Sequence, residues 1–322
     1  MGSPNRTAIV ICSHRFNESL ESCLEGFLAM AKEPEDLFFV NNGAAERLAD
    51  WTDRRFPGIT IIRLTKNRFF CGGYNVGVRL AMDRGYDFIL MSNADTEVVN
   101  AQFLGELLKT AERWPRGAFF GPLVFLRQAG MIQNTCLRFP RVFRNSWQWL
   151  PWRLARGLME RQSHKEMVVE FLNGVCILCR VNALKEIGLM DETMGGYMED
   201  ADWAWRARKR GWLSVFNPVP SIVHHEAELG YEPYSLKTFL LKRNTVYWFL
   251  KNHRPKSAWY YAQASMMIDR IRMAKAYRPV ERKKHRYFLR KCSRAYRGLL
   301  NGEALGNWFG PPLGTWEEEN VA

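Results

Sequence analysis

The sequence predicts an α/β fold: a mixed, mostly parallel central sheet flanked by helices, with a helical extension at the C-terminus. Three observations predict it. Through about residue 125, short β-rich runs alternate with amphipathic stretches, an order that builds a parallel sheet covered on both faces. Past about Tyr231 the apolar periodicity becomes helical. The charge divides at the same place: Lys237 to Arg297 hold 18 Lys or Arg against only Asp269 and Glu281, so this segment carries +16 of a net +13 and the remainder −3. With 322 residues and 47% hydrophobic content the chain can bury a sizeable core.

The elements follow in order. TAIVICS reads as a buried strand, Glu18 to Ala31 as an amphipathic helix, LFFVN as a strand, Ala44 to Thr52 as a short helix, and ITIIRL as a strand. A helix from about Gly73 to Asp83 and the strand DFILMS complete the first half. Its strands end in polar clusters, Ser13-His14-Arg15, Asn41-Asn42-Gly43 and Ser92-Asn93-Ala94-Asp95, and carboxyl ends of parallel strands are where such sheets bind ligands. From Gly117 to about Val223 the pattern is mixed. GAFFGPLVFL and VVEFLNGVCILC read as strands, a Trp- and Arg-rich insertion spans Phe139 to Met159, and an acidic helix follows. The tail holds two stripes at helical spacing, Tyr260, Ala264, Met267, Ile271 and Ala274, then Phe288, Cys292, Ala295 and Leu299 beyond Pro279. Both predict amphipathic helices with basic outer faces. The division expected is 1–230 and 231–322, the first part having halves of about 1–125 and 126–230.

Several classes are excluded. No apolar run reaches the roughly 18 residues of a spanning helix, and MGSPNRT runs into AIVIC without a leader, so a cytoplasmic protein is expected. Seven scattered cysteines read as reduced thiols. Cys176 and Cys179 form a CxxC on a strand, where residues three apart face opposite ways, so they are not metal ligands. The first strand runs into CSHRFNES without a dinucleotide fingerprint, and no Gly-Lys-Ser/Thr occurs.

Four motifs carry chemistry. GYMEDADWAWRARKRGW sets Glu199, Asp200 and Asp202 at a helix start. Such acids complement a helix dipole, and Asp202 and Arg206 make an i,i+4 pair, yet clustered carboxylates also mark active sites. In RFFCGGYNVG, glycines at a helix N-terminus either admit a phosphate or pack a tight turn. FILMSNADTE ends a buried strand in Asn93 and Asp95, which project to one side and either hold a hard cation, Mg²⁺ or Mn²⁺, or cap a turn. His224 and His225 follow a strand, so they face opposite ways and only one can enter a given cleft.

Taken in order, these stretches resemble an inverting family 2 glycosyltransferase of the GT-A fold, in the branch with bacterial rhamnosyltransferases. The matching stretches are TKNRFFCGGYNVG, ILMSNADTEV, EFLNGVCILCR and IGLMDETMGGYMEDADWAWRARKRGW, within about residues 7 to 250. The resemblance implies Asp200 as general base, Glu199 at the acceptor hydroxyls, and Asp95 with His225, ahead of His224, on a Mg²⁺ or Mn²⁺ ion. It implies donor contacts from Ser13, His14, Arg15, Asn41, Arg68, Gly73, Asn75 and Asn93. Asn41 stands where the family usually has the Asp that reads the base, which leaves base identity open. The donor implied is a nucleoside diphosphate sugar, dTDP-rhamnose favoured. A saccharide or lipid-linked saccharide accepts it, in bacterial cell-surface polysaccharide synthesis.

The tail's charge suits an anionic membrane surface, with Trp259, Tyr260, Tyr261, Tyr287 and Phe288 at the interface on the inner face of the plasma membrane. A nucleic-acid module would leave the Asn-Ala-Asp and Glu-Asp motifs without a role, so no nucleic acid is expected. A sugar nucleotidyltransferase, the enzymatic alternative, needs a glycine-rich basic loop after the first strand, which ICSHRFNES lacks.

Overall fold

The structure, a computed structural model, describes residues 6–127, 131–141, 165–225, 235–275 and 279–303. Four strands, β1 (Thr7–Ser13), β2 (Leu37–Asn42), β3 (Thr60–Leu64) and β4 (Phe88–Asn93), form an all-parallel half in the order β3-β2-β1-β4. Every residue of β2 is buried, because helices α1 (Leu20–Leu28), α2 (Glu46–Arg55) and α3 (Phe69–Asp83) cover the sheet. The glycines of α3 explain how closely it lies on the strands. A Cβ at Gly77 would fall 2.6 Å from Val10 Cγ1, and one at Gly73 would fall 2.6 Å from Asn42 Nδ2 and 2.7 Å from Cys12 Sγ. Of the two readings open for the glycine-bearing helix, these contacts show close packing.

The second half contributes β5 (Thr96–Val98), α4 (Phe103–Arg113), β6 (Gly117–Leu126), β7 (Met131–Ile132), β8 (Cys136–Leu137), β9 (Met167–Val169), β10 (Phe171–Leu172), β11 (Cys176–Arg180), α5 (Val181–Ile187), α6 (Glu199–Lys209) and β12 (Leu213–His224). The main sheet runs β3-β2-β1-β4-β11-β6-β12-β5, with β7 on β6 and β9 on β12. Antiparallel β11 joins β4 to β6, and β12 lies parallel to β6. The stretch expected as one strand, VVEFLNGVCILC, is three. Asn173 breaks it: its side-chain oxygen accepts from Val175 N at 3.1 Å, the local bond by which Asn makes a turn. One apolar cluster, including Ile9, Phe27, Phe39, Leu90, Phe103, Phe120 and Leu178, fills the interior of this unit.

The described residues fall into two units. One holds those up to Phe139, 165–195 and 199–225; the other holds 140–141, 196–198 and everything from 235. Beyond Phe139, Pro140 and Arg141, the Trp-rich insertion lies outside the described residues. In the second unit, α7 (Leu236–Lys251), α8 (Pro255–Lys275) and α9 (Pro279–Leu300) pack on one another. The α9 stripe is buried as predicted: Phe288, Cys292, Ala295 and Leu299 are at most 6% exposed.

The α8 stripe is reversed. Tyr260 is 57% exposed, Met267 58% and Ile271 44%, while Ala258, Tyr261, Ala262, Ser265 and Asp269 are buried. Both sets have 3–4 spacing, so periodicity fits either. Asp269 distinguishes them: Lys242 Nζ donates to both of its oxygens, at 2.7 and 2.5 Å, and a buried carboxylate needs such a partner. Tyr261 and Phe288, expected at a membrane interface, are therefore core residues, whereas Trp259 and Tyr260 face outward.

Candidate active site

Helix α6 begins with the two adjacent carboxyl groups Glu199 and Asp200. Asp200 accepts the N–H of Ala201 at 2.7 Å. Burial pushes its carboxyl up to about 6, a shift that nearby backbone N–H groups moderate. Glu199 is 6% exposed, and its Oε2 has no hydrogen-bond partner among the described residues. Burial first, and the neighbouring Asp200 charge second, hold its carboxyl well above the usual range. Both shifts have burial as their first cause, and the two carboxyl groups titrate as a coupled pair.

The third acid is committed to structure. Asp202 is 1% exposed and accepts from Arg206 Nε at 2.8 Å, the predicted i,i+4 pair, and Arg206 continues to the carbonyls of Ile187 and of Leu189, the latter at 2.8 Å. Trp203 Nε1 donates to Gly188 O at 2.8 Å. These bonds fix α6 to the loop after α5.

At the end of β4, Thr96 Oγ1 donates to Asn93 O at 2.8 Å and pairs with Ser92 Oγ at 2.9 Å. This closes the turn that presents Asp95. Opposite it, β5 pairs with β12 so that His224 lies beside Thr96. His224 Nε2 sits 3.2 Å from Asp95 Oδ1, and its Nδ1 is 2.9 Å from Gln133 Oε1. His225 faces away from the Asp95 carboxylate: Arg127 donates to its Nδ1 at 2.7 Å and its Nε2 meets Glu97 Oε2 at 2.8 Å. Of the two histidines, the one whose side chain lies beside Asp95 is His224, which the resemblance ranked second, while His225 pairs with Arg127 and Glu97. Alternation along β12 allows one of them, and sequence does not say which. Gln133 and Arg127 lie in no motif, and Glu97 is the last residue of FILMSNADTE, to which no role was given.

The remaining expected residues separate by position. Ser13 Oγ donates to Arg15 O at 2.6 Å, shaping the end of β1 where His14 and Arg15 are exposed. Asn41 is buried at the end of β2 and accepts from Ala44 N at 3.0 Å. Arg68 pairs with Glu192 at 2.7 Å. Asn75 is engaged inside: its amide donates to Met190 O at 2.9 Å and Glu192 Oε1 at 3.1 Å and accepts from Met190 N at 3.1 Å. Arg15 and His225 line an open cleft of about 1060 Å³ together with Phe16, Glu18, Glu97 and Arg127.

The two acidic motifs meet on one short segment. Val175 O accepts Asn93 N at 2.9 Å, and a Cβ on its neighbour Gly174 would stand 3.6 Å from Glu199 Oε1. Consecutive residues therefore lie against the end of β4 and the Glu199 carboxyl. Residues 4–245 match the glycosyltransferase like family 2. The chain belongs to that family. Among its relatives, an N-acetylglucosaminyl-diphospho-decaprenol L-rhamnosyltransferase of Mycobacterium tuberculosis is 27% identical over 79% of this chain and 86% of its own length. A low-salt glycan biosynthesis hexosyltransferase of Haloferax volcanii is 22% identical over 63% of this chain and 61% of its own. The solved structure of GalNAc-T7 with UDP, GalNAc and Mn²⁺ superposes with a TM-score of 0.57 at 12% identity, over 98% of this chain and 58% of that one. The family 2 chain thus has the GT-A fold that its motifs implied.

Proposed function

We propose that the protein is an inverting, metal-dependent glycosyltransferase that moves a sugar from a nucleoside diphosphate sugar to a lipid-linked saccharide. Rhamnose from dTDP-rhamnose is the favoured donor group, supported by likeness to a relative named as an L-rhamnosyltransferase. That relative's name also carries a diphospho-decaprenol acceptor, which favours a lipid-linked over a free saccharide. The observation carrying the reading is the Gly174–Val175 segment, which bonds the strand end that presents Asn93 and Asp95 and lies against Glu199, the neighbour of Asp200.

A sugar hydroxyl is a weak nucleophile at neutral pH, so a carboxylate within reach must take its proton as it attacks the anomeric carbon. Asp200 suits that task because a pKa of about 6 leaves it ionised at neutral pH yet more basic than an exposed carboxylate. Glu199, buried beside Asp200 with its Oε2 unpartnered among the described residues, is assigned to the acceptor hydroxyls. A single displacement on the face opposite the leaving diphosphate inverts the anomer.

The Asp95–His224 pair fits a hard divalent cation. With Nδ1–H committed to Gln133, Nε2 presents its lone pair to a carboxylate 3.2 Å away. Two cis ligands of an octahedral ion with bonds of about 2.1 Å lie roughly 3 Å apart. Among the described residues no three His, Cys, Asp or Glu side chains converge, so diphosphate and water would complete the shell. A bound Mg²⁺ or Mn²⁺ would offset charge on the departing diphosphate. Asn41 and the exposed His14 and Arg15, at the ends of β2 and β1, are assigned to the nucleotide.

The outward stripe of α8 supports contact with an anionic membrane surface, where a lipid-linked acceptor resides, on the cytoplasmic side. No helix among the described residues is long and apolar enough to cross a membrane. Asp200→Asn tests the reaction: release of nucleoside diphosphate from dTDP-rhamnose should fall at least about 100-fold, while the Mn²⁺-dependent thermal shift with dTDP stays near wild type. Full turnover in that variant would remove the proposed base.

A further inference from the structure

Just ahead of α6 the backbone adopts a course its side chains disfavour. Tyr197 and Met198 have φ values of 64° and 75°, in the left-handed region where a residue with a Cβ is sterically crowded. Such conformations persist only where the surroundings over-determine them, and they gather at functional sites.

Asn244, in the middle of α7, supplies that constraint. It is fully buried, and its amide nitrogen donates to Gly196 O at 2.8 Å and to Tyr197 O at 2.7 Å. Its amide oxygen accepts from Arg243 Nε at 2.9 Å, and Arg243 is also fully buried. Carbonyls only accept and a guanidinium only donates, so one amide orientation satisfies all three bonds. The bonds do not cap a helix. Groups left over at a helix N-terminus are N–H donors, whereas Asn244 takes carbonyls, which belong to the turn itself. Two residues after Tyr197 the chain reaches Glu199, and Asp200 follows.

We propose that Asn244 is a positioning residue: by holding Gly196–Met198 in its left-handed course it sets how the chain enters α6 and so aims the Asp200 carboxylate. This rests on Asp200 being the base.

The test uses the full chain with dTDP-rhamnose and an acceptor saccharide. In Asn244→Ala, kcat should fall about 100-fold, the cost of a misplacement of order 1 Å, with the donor KM within about twofold. The acid limb of the kcat profile should move as the surroundings of Asp200 change, and amide exchange at residues 199–203 should quicken at least about tenfold. Adding Tyr197→Gly, which takes a left-handed φ without crowding, should restore about a tenth of the lost rate. A purely packing role would lower stability and show no such rescue. If Asn244→Ala does not fold, Asn244→Ser, which keeps one donor, is read in the same way. A kcat within threefold of wild type in the folded variant, or unchanged exchange at 199–203, overturns the proposal. Absence of turnover by wild type with every sugar nucleotide counts against the assigned reaction alone, and exchange then decides the clamp.

Discussion

Glu199 and Asp200 carry adjacent carboxyl groups that burial pushes upward by different amounts, which makes their chemistry visible in stability as well as in rate. A carboxyl that ionises near 4 in the unfolded chain but at about 6 when folded binds its proton more tightly in the native state. Between those values the folded chain holds more protons than the unfolded one, so this group's contribution to stability falls as pH rises from about 4 to 6 and is flat above. Glu199 acts in the same direction and extends the decline to higher pH. Asp200→Asn removes the ionisable group, so the variant should melt a few degrees above wild type at pH 7.5 and at the same temperature at pH 4. Equal melting temperatures at pH 7.5 would show that Asp200 is not held in a desolvated place. A gain in stability beside a loss of turnover is what a destabilised catalytic carboxylate should give.

Strand β12 sets which histidine lies beside Asp95: His224 meets Asp95, and His225, just past the strand, meets Glu97 and Arg127, so the proposed metal reading assigns His224. His224→Ala should therefore abolish the extra thermal stabilisation that Mn²⁺ adds to dTDP. His225→Ala should retain most of it, and an equal loss in both variants would remove the distinction. Asn93 and Asp95 stand out in the sequence because they end an apolar run; which histidine lies beside Asp95 does not, since period two offers two faces and names neither. The same limit applied to α8, where two stripes share helical spacing and only the buried Lys242–Asp269 pair fixes which one faces inward. Likewise β9, β10 and β11 read as one strand because their apolar content is nearly continuous, while the break between β10 and β11 lies in an Asn173 side-chain bond. Asn244 left no trace in the sequence, since its partners are backbone carbonyls far along the chain.

The whole chain divides its charge as it divides its periodicity, and the structure gives that division a surface. The same segment, residues 237 to 297, that carries the excess of Lys and Arg presents an outward row of Trp259, Tyr260, Met267 and Ile271 on α8. Beside the row, Lys256, Arg270 and Arg297 line a cavity of about 820 Å³ with Trp259 and Tyr260. Aromatic rings, aliphatic tips and cations on one exposed face suit the boundary of an anionic bilayer, where apolar groups enter the interface and cations meet headgroups. Neither part suffices, since screening weakens the charges at high salt while the apolar insertion persists. The chain should float with vesicles of 30% phosphatidylglycerol in phosphatidylcholine and far less with phosphatidylcholine alone. Binding should weaken several-fold between 0.1 and 0.5 M NaCl. Trp259→Ala with Met267→Ser should lower flotation about tenfold or more and leave turnover on a soluble acceptor unchanged, because both side chains lie on the exposed face of α8. Flotation unaffected by these substitutions, or equal on neutral and anionic vesicles, would assign the row to another partner, and a concentration-dependent dimer lost in the double variant would identify that partner as a second copy of the chain.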